Sequence, residues 1–306
     1  MEGGSYSNLP IRRVAVVTGG NKGIGLEVCR QLAAAGVTVV LTARDETRGT
    51  EAVEKLKGMG LSNVVFHQLE ITDNSSIARL ADFLNKLFGK LDILVNNASI
   101  GGMEYNPEID SNNEQFDGMD MQQRFEWMNK QGQQTYDAAK NGVQTNYYGA
   151  THVIRALLPL LLSSPDGRIV NVSSDFGLLR YVNNEDLKKE LDNVDNLTEE
   201  WLDELLDKFL KDFKAGMLEA HGWPTMFAAY KMAKVAMNAY TRILARRHPS
   251  LRINCAHPGY VKTDMTMNSG FLTTEKGGRN IVTVVLQPDG GPTGAFFDEG
   301  REASFA

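Results

Sequence analysis

Residues 13–36 read RVAVVTGGNKGIGLEVCRQLAAAG, and this stretch decides the fold. RVAVVTGG predicts a short strand that ends in glycines, and the apolar spacing after it predicts a helix closed by Gly36. Glycines between a strand and a helix let the backbone turn sharply and approach a pyrophosphate at the helix N-terminus. Their TGxxxGxG spacing is looser than GxGxxG. The stretch predicts a dinucleotide-binding loop containing Gly19, Asn21, Lys22, Gly23, Ile24 and Gly25.

The same strand and helix rhythm continues along the chain. Apolar strands are predicted at 37–44, 63–72, 91–99, 167–174 and 251–259. Helices are predicted between them, at about 47–58 and 75–88, through 142–162 and around YKMAK at 230–234. Alternation at this spacing is typical of a parallel sheet covered on both faces. The predicted fold is therefore an α/β, Rossmann-type doubly wound parallel sheet, forming one domain over residues 1–306.

Two stretches interrupt the rhythm. The first insertion, about 101–140, is rich in Asn, Gln, Asp and Met. The second insertion, about 177–226, contains LTEEWLDELLDKFLKDFKAG, in which Thr198 can cap an amphipathic helix that stops at Gly216. The polar face of this helix is largely acidic, which disfavours membrane binding. The helix can pack on the body of the domain, move as a lid over a site, or cover an oligomer interface.

Composition excludes several classes of function. The formal net charge is −6 and the isoelectric point is near 5.5, which argues against a nucleic-acid surface or a basic membrane anchor. The five histidines are scattered without metal-ligand spacing, so no metal site is expected. Cys29 and Cys255 fall in a predicted helix and a predicted strand, which suits a reducing compartment. MEGGSYSNLPIRR at the start has no signal-peptide core, and a cytoplasmic location is expected.

The end of the second strand indicates the cofactor. An acid at this place binds a ribose 2′-hydroxyl, whereas an arginine accommodates a 2′-phosphate. The chain has Arg44 here and Arg48 one turn later, with Lys22 in the glycine loop. Three cations at one place favour NADPH. Asp45 follows the first arginine and can equally cap the next helix.

The segment FAAYKMAK, residues 227–234, places a phenol and an ammonium four residues apart. On a helix Tyr230 and Lys234 share one face, and a nearby cation favours the phenolate form of a tyrosine. Such a pair can act as a proton donor. Taken alone, it is more often a surface pair on an amphipathic helix.

Five motifs in order resolve this ambiguity: TGGNKGIG, NNAS, NVSS, YKMAK and HPGYVKT. Their order and topology resemble the short-chain dehydrogenases/reductases, from about Arg13 to Phe297. Ser174 and Tyr230 are 56 positions apart. A gap of this length resembles that of the plant branch of the family, which includes salutaridine reductase and menthone/neomenthol reductases.

The resemblance implies a role for each matching residue. Tyr230 is expected to protonate a carbonyl oxygen, with Lys234 lowering its pKa and binding the nicotinamide ribose. Ser174 is expected to hydrogen-bond the carbonyl oxygen, and Asn146 in QTNYYG to hold a water of the proton relay. The remaining cofactor contacts implied by the resemblance are Glu70, Asn97, Pro258, Gly259, Val261 and Thr263.

Three departures from the family pattern stand out. Ser99 replaces a common glycine in NNAS and is expected to crowd the loop beside the cofactor slightly. Glu70 replaces an aspartate that contacts the adenine, so this hydrogen bond is expected to be longer or absent. The long gap adds a segment that can cover the YKMAK helix, which members without it use to dimerise. A monomer is therefore expected.

The residues near the motif ends favour a hydrophobic substrate. They are mostly apolar and suit a cyclic ketone of the terpenoid or alkaloid class, as in secondary metabolism: Ile100, Gly101, Met103, Phe176, Leu178, Leu179 and Met226. The expected reaction is reversible NADPH-dependent reduction to a secondary alcohol. Reduction of an enone double bond and a non-catalytic NADP-binding regulatory protein are the alternatives. The complete Asn146, Ser174, Tyr230 and Lys234 set favours carbonyl chemistry over both.

Overall fold

The fold is described from a computed structural model over residues 13–106 and 113–306. The N-terminal segment searched for a signal peptide, up to residue 12, and positions 107–112 of the first insertion lie outside these ranges. Within them the chain forms a single α/β domain with a parallel central sheet and helices on both faces, as predicted.

The first half of the sheet and its helices follow the predicted alternation closely. The elements are β1 (Val14–Val17), α1 (Gly23–Ala34), β2 (Thr38–Ala43), α2 (Glu46–Gly58), β3 (Val64–Gln68), α3 (Asn74–Phe88) and β4 (Ile93–Asn96). Asp45 and Asp73 cap α2 and α3 through their carboxylates. Strand β3 is shorter than its apolar run, because the chain turns at Glu70 to enter α3.

The first insertion builds a small hairpin and a helix. Its elements are β5 (Glu104–Tyr105), α4 (Met121–Gln131) and β6 (Gly132–Gln133), and β5 pairs antiparallel with β6. Next come α5 (Tyr136–Val143), a π-helical turn over Gln144–Gly149 and α6 (Ala150–Leu162). The single long helix predicted at 142–162 is thus interrupted by the π-helical turn.

The second half completes the sheet around the second insertion. Its elements are β7 (Arg168–Val172), α7 (Glu185–Asp192), α8 (Glu199–Lys214), α9 (Ala228–Arg247), β8 (Arg252–His257), α10 (Thr274–Val285), β9 (Phe296–Asp298) and β10 (Arg301–Ala303). The strand order is β3-β2-β1-β4-β7-β8-β9-β10, parallel except for β10. Ligands bind such sheets at the carboxyl ends of the strands, where the order reverses beside β1.

Alternating side chains of the strands divide the core into two layers. Val14 and Val16 of β1 face the layer under α3, α6 and α9, whereas Ala15 and Val17 face the layer under α1, α2 and α10. Both layers are buried, which explains why the strands read as continuous apolar runs.

Helix α8 packs on the body of the domain. The Thr198 hydroxyl caps it by accepting from the Trp201 amide at 3.1 Å. Its apolar stripe joins the core under α9 and also contacts α5: Leu202, Leu205, Leu206 and Phe209. No helix of the described residues is long and apolar enough to cross a membrane.

Candidate active site

The loop between β1 and α1 forms a cradle that only glycine permits. Gly19 and Gly23 have φ values of 63° and 56°, in the left-handed region. A Cβ at Gly25 would lie 2.4 Å from both the Asn97 Nδ2 and the Gly19 oxygen. No side chain caps the start of α1 at Lys22, so the first N–H groups of the helix are available to an anion. The loop therefore fits the pyrophosphate of a dinucleotide, with Asn21 and Ile24 half-buried in it.

The carboxyl end of β2 presents two exposed arginines, Arg44 and Arg48. The carboxylate of Asp45 accepts the Arg48 amide at 2.9 Å and thereby caps α2. This is the capping role that the sequence allowed. Lys22, the third predicted cation, forms an ion pair with Asp264 in the loop after β8, 2.5 Å between Nζ and Oδ2.

Asn97 ties the end of β4 to the glycine loop. Its Nδ2 donates to the carbonyl oxygens of Thr18 and Gly19, at 2.9 and 3.1 Å. The Glu70 carboxylate accepts from both the amide and the hydroxyl of Thr72, at 3.2 and 3.0 Å. This carboxylate therefore holds the turn before α3.

Tyr230, Lys234 and Ser174 meet at the carboxyl edge of the sheet. Tyr230 and Lys234 lie one turn apart near the start of α9, and Ser174 follows β7 directly. The Ser174 side chain lies next to the Tyr230 phenol, and its oxygen accepts the Phe176 amide at 3.2 Å. The Lys234 ammonium donates to the Val172 carbonyl at 2.8 Å and lies 5.5 Å from the centroid of the tyrosine ring. The β7 end thus positions both partners of the phenol.

Burial controls the protonation of this pair. Removal from water raises the pKa of Tyr230 to about 12, and the Ser174 side chain opposes the rise. Burial lowers the pKa of Lys234 to about 8. Desolvation therefore dominates both pKa values, and a lowering of the phenol's pKa by Lys234 stays a prediction. A high pKa keeps the phenolic proton in place at neutral pH.

Asn146 is buried inside the π-helical turn. Its Oδ1 accepts from the Ser99 hydroxyl at 2.9 Å and from the Ile100 amide at 2.8 Å. Its Nδ2 donates to the Ile100 carbonyl at 2.8 Å. The Ser99 hydroxyl is thus a bonding partner within NNAS, where the sequence suggested only slight crowding. These bonds join the end of β4 to the helix behind the site.

The loop after β8 borders the glycine loop. Gly259 has a φ of 90°, and a Cβ there would lie 2.4 Å from Leu272. The Pro258 carbonyl accepts from Asn280 of α10 at 2.9 Å. A Cβ at Gly23 would lie 3.6 Å from the Thr263 methyl, and one at Gly277 of α10 would lie 2.6 Å from the Val261 side chain. The structure therefore brings the predicted HPGYVKT residues to the cofactor cradle.

An aromatic cluster includes the Tyr230 ring. We use this name for Phe125, Phe176, Phe227, Tyr230 and Tyr260. The ring centroids of the contacting pairs are 4.8–6.4 Å apart, and Tyr230 contacts the cluster through Phe176, at 6.4 Å. Several methionines pack against them: Met103, Met119, Met128, Met226 and Met267. The cluster makes an apolar, adaptable surface beside the Tyr230 phenol.

Sequence reasoning found part of this surface. Met103, Phe176 and Met226 belong to the cluster or pack against it, and their contact with a substrate stays a prediction. Leu178 and Leu179 do not, because they are buried in other parts of the core. Phe125, Phe227 and Tyr260 were missed, although Phe125 and Met128 are three residues apart on α4, a spacing typical of one helix face.

Phe227 holds an unusual backbone conformation just before Tyr230. Its φ of 52° is in the left-handed region, which is costly for a residue with a Cβ. Gln134 of the first insertion supports this turn, because its Oε1 accepts the Ala228 amide and its Nε2 donates to the Thr225 carbonyl, each at 2.7 Å. The start of the helix that carries Tyr230 is therefore capped from the first insertion.

The parallel sheet, the glycine cradle and the Ser174, Tyr230 and Lys234 grouping define a nicotinamide-dependent oxidoreductase. The chain belongs to the short chain dehydrogenase family, whose sequence model matches residues 13–185. It is 48% identical over 305 residues to short-chain dehydrogenase/reductase 1 of Saponaria officinalis, covering 98% of each chain. It is 46% identical over 299 residues to salutaridine reductase of Papaver bracteatum, covering 96% of each chain.

Solved structures show the same similarity. Salutaridine reductase from Papaver somniferum superposes with a TM-score of 0.86 at 44% identity, covering 94% of this chain and 99% of that one. Menthone neomenthol reductase from Mentha piperita superposes with a TM-score of 0.81 at 40% identity, covering 95% and 99%. The similarity spans nearly the full length of each chain.

Proposed function

We propose that the protein is an NADPH-dependent reductase that converts a hydrophobic cyclic ketone into a secondary alcohol, reversibly. One observation carries the proposal: the Tyr230 phenol, next to Ser174, belongs to an apolar aromatic cluster beside a dinucleotide cradle. The names of the relatives, which include salutaridine reductase and neomenthol dehydrogenase, support a terpenoid or alkaloid substrate of secondary metabolism.

The nicotinamide cofactor supplies the hydride that reduces the carbonyl carbon. Tyr230 then gives its phenolic proton to the developing alkoxide oxygen, so the product is the neutral alcohol. Ser174 donates a hydrogen bond to the same oxygen, where negative charge grows during the reaction. Lys234 is fixed by the Val172 carbonyl and favours the phenolate that forms when the proton leaves. Asn146 joins the segment after β4 to the π-helical turn through its hydrogen bonds to Ser99 and Ile100.

The proposed cofactor is NADPH. Arg44 and Arg48 are exposed at the end of β2, where a 2′-phosphate is read in folds of this kind, and Asp45 is used as a helix cap. Lys22 can join them when it leaves Asp264. The glycine loop, Asn97, Pro258, Gly259, Val261 and Thr263 would line the rest of the cofactor cleft.

The test is the rate of NADPH oxidation, with NADH in parallel, over a panel of cyclic ketones and enones with product identification. The intact protein is expected to form alcohols and to prefer NADPH. Tyr230→Phe is expected to lower turnover by at least about a hundredfold while NADPH binding is retained. Saturated-ketone products that form equally well without the phenol would point to double-bond reduction instead. Binding of NADPH with no turnover of any ketone would point to a regulatory protein.

We also propose that the protein is a cytoplasmic monomer. Leu206 and Phe209 of α8 are buried against the core under α9, which supports a covering role for the second insertion. Light scattering on a sizing column is expected to give the mass of one chain, 33.8 kDa. A fluorescent fusion would test the location. A mass of two chains would contradict the covering role.

A further inference from the structure

Helix α4 of the first insertion places Phe125 at the centre of the aromatic cluster. The Phe125 ring centroid lies 4.9 Å from that of Phe176, 4.8 Å from Tyr260 and 6.2 Å from Phe227. These three rings come from the segment after Ser174, the loop after β8 and the start of α9. Phe125 therefore contacts every wall of the cluster that the rest of the domain supplies.

The neighbouring Arg124 fastens α4 to the loop after β8. Its Nη1 donates to the Ser269 carbonyl of that loop at 2.5 Å. Its Nε and Nη2 donate to the carbonyls of Met119 and Phe116, each at 3.0 Å. The guanidinium carbon also lies 4.3 Å from the ring centroid of Phe271, at the far end of the same loop. Two segments more than a hundred residues apart are thus joined by one side chain.

An arginine near a substrate site usually suggests an anionic substrate, because its fork binds carboxylates. In this structure three nitrogens of Arg124 already donate to carbonyls, and the face of the guanidinium is stacked on the Phe271 ring. Lys231, a second cation near the cluster, lies 4.9 Å from the ring centroids of both Phe176 and Tyr181. These contacts assign Arg124 to holding the wall in place.

We propose that Phe125 determines substrate specificity by forming part of the apolar wall beside Tyr230, and that Arg124 is the positioning residue that holds Phe125 there. The inference rests on the proposed ketone reduction and names the substrate class more closely. It predicts a ketone whose ring is flanked by uncharged apolar groups, and it assigns one part of the substrate wall to the first insertion.

Phe125→Ala tests the specificity role, with 4-methylcyclohexanone and 4-phenylcyclohexanone as probes. Removing the Phe125 ring opens space for the phenyl group of 4-phenylcyclohexanone. It also removes an apolar contact that 4-methylcyclohexanone is expected to make. The ratio of kcat/KM for the phenyl ketone to that for the methyl ketone is expected to rise by about tenfold or more. Met121→Ala is the matched control, because Met121 is on the same helix but exposed. An unchanged ratio in Phe125→Ala would overturn the specificity role.

Arg124→Met and Arg124→Lys test the positioning role. The methionine has no donors, whereas the lysine ammonium can keep part of the bonding to the carbonyls. KM for 4-methylcyclohexanone is expected to rise about tenfold in Arg124→Met and less in Arg124→Lys, with kcat and the KM for NADPH nearly unchanged. The carboxylate probe 4-oxocyclohexanecarboxylate separates the alternative. If the intact protein reduces this carboxylate best, and Arg124→Met selectively loses activity towards it, then Arg124 is an anion receptor and the proposal fails.

Hydrogen exchange gives a readout that does not depend on turnover. In Arg124→Met the amides of 116–131 and 260–271 are expected to exchange faster together, while those of α8 stay unchanged. Unchanged exchange in both segments would overturn the positioning role even if activity falls. If the intact protein binds NADPH but reduces no ketone, the ketone function fails, and the exchange experiment still decides whether Arg124 joins the two segments.

Discussion

Lys234→Met is expected to abolish turnover while removing a pH-dependent cost to folding. The ammonium is 4% exposed, and burial lowers its pKa from 10.5 to about 8. Methionine has a similar length and carries no charge. The hydrogen bond to the Val172 carbonyl is lost at every pH, so this loss shifts stability by a constant amount.

The lowered pKa fixes the sign of the pH effect. Between pH 8 and 10.5 the unfolded chain holds the lysine proton more tightly than the folded protein does, so stability rises with pH in this window. Below pH 8 the full cost of the buried charge remains, about 3 kcal/mol for the gap between the two pKa values. About 2 kcal/mol of this cost disappears between pH 7 and about pH 9.5.

Urea unfolding of the intact protein and of Lys234→Met at pH 7 and at about pH 9.5 measures this change. The stability of the intact protein relative to the variant is expected to rise by about 2 kcal/mol, because the titrating groups that Lys234 does not influence are shared and cancel. Lys208→Met, at an exposed lysine of α8, is the control and is expected to give a flat difference. A Lys234 difference that changes by less than about 0.5 kcal/mol would refute the burial argument.

Three further substitutions test the cradle, its salt bridge and the cover. Gly25→Ala would place a Cβ 2.4 Å from Asn97 Nδ2, so NADPH binding, measured by fluorescence titration, is expected to weaken at least about tenfold. Asp264→Asn releases Lys22 and is expected to lower the Kd for NADPH up to about fivefold, with that for NADH unchanged. Phe209→Ala is expected to cost about 3–5 kcal/mol in urea unfolding, because the ring is fully buried under α9.

Each of these substitutions has an outcome that contradicts its reasoning. Normal NADPH affinity in Gly25→Ala would mean that the loop adjusts to a side chain. An equal change for both cofactors in Asp264→Asn would mean that Lys22 does not reach the 2′-phosphate. A small loss in Phe209→Ala would mean that α8 adds little to the core, and the monomer proposal would lose its support.

The predicted elements that proved right depend on local patterns. The glycine loop, the caps Asp45 and Thr198 and the apolar runs of the strands involve residues a few positions apart, so the sequence contains their whole signal. The bonds of Asn146 to Ser99 and Ile100 were not predicted, because their partners are 46–47 positions away. The same holds for Arg124, whose bond to Ser269 spans 145 positions.

By itself, the sequence determined the α/β class, the order of the elements and the glycine loop, and its motifs led to Tyr230 as the proposed proton donor. Apolar periodicity and glycine conformation are properties of neighbouring residues, and they act before the chain is folded. Only the tertiary structure decided that burial raises the pKa of Tyr230, and that Phe125 and Tyr260 become one wall beside it. Desolvation and packing depend on which distant segments meet, and these contacts form only when the sheet closes its two layers.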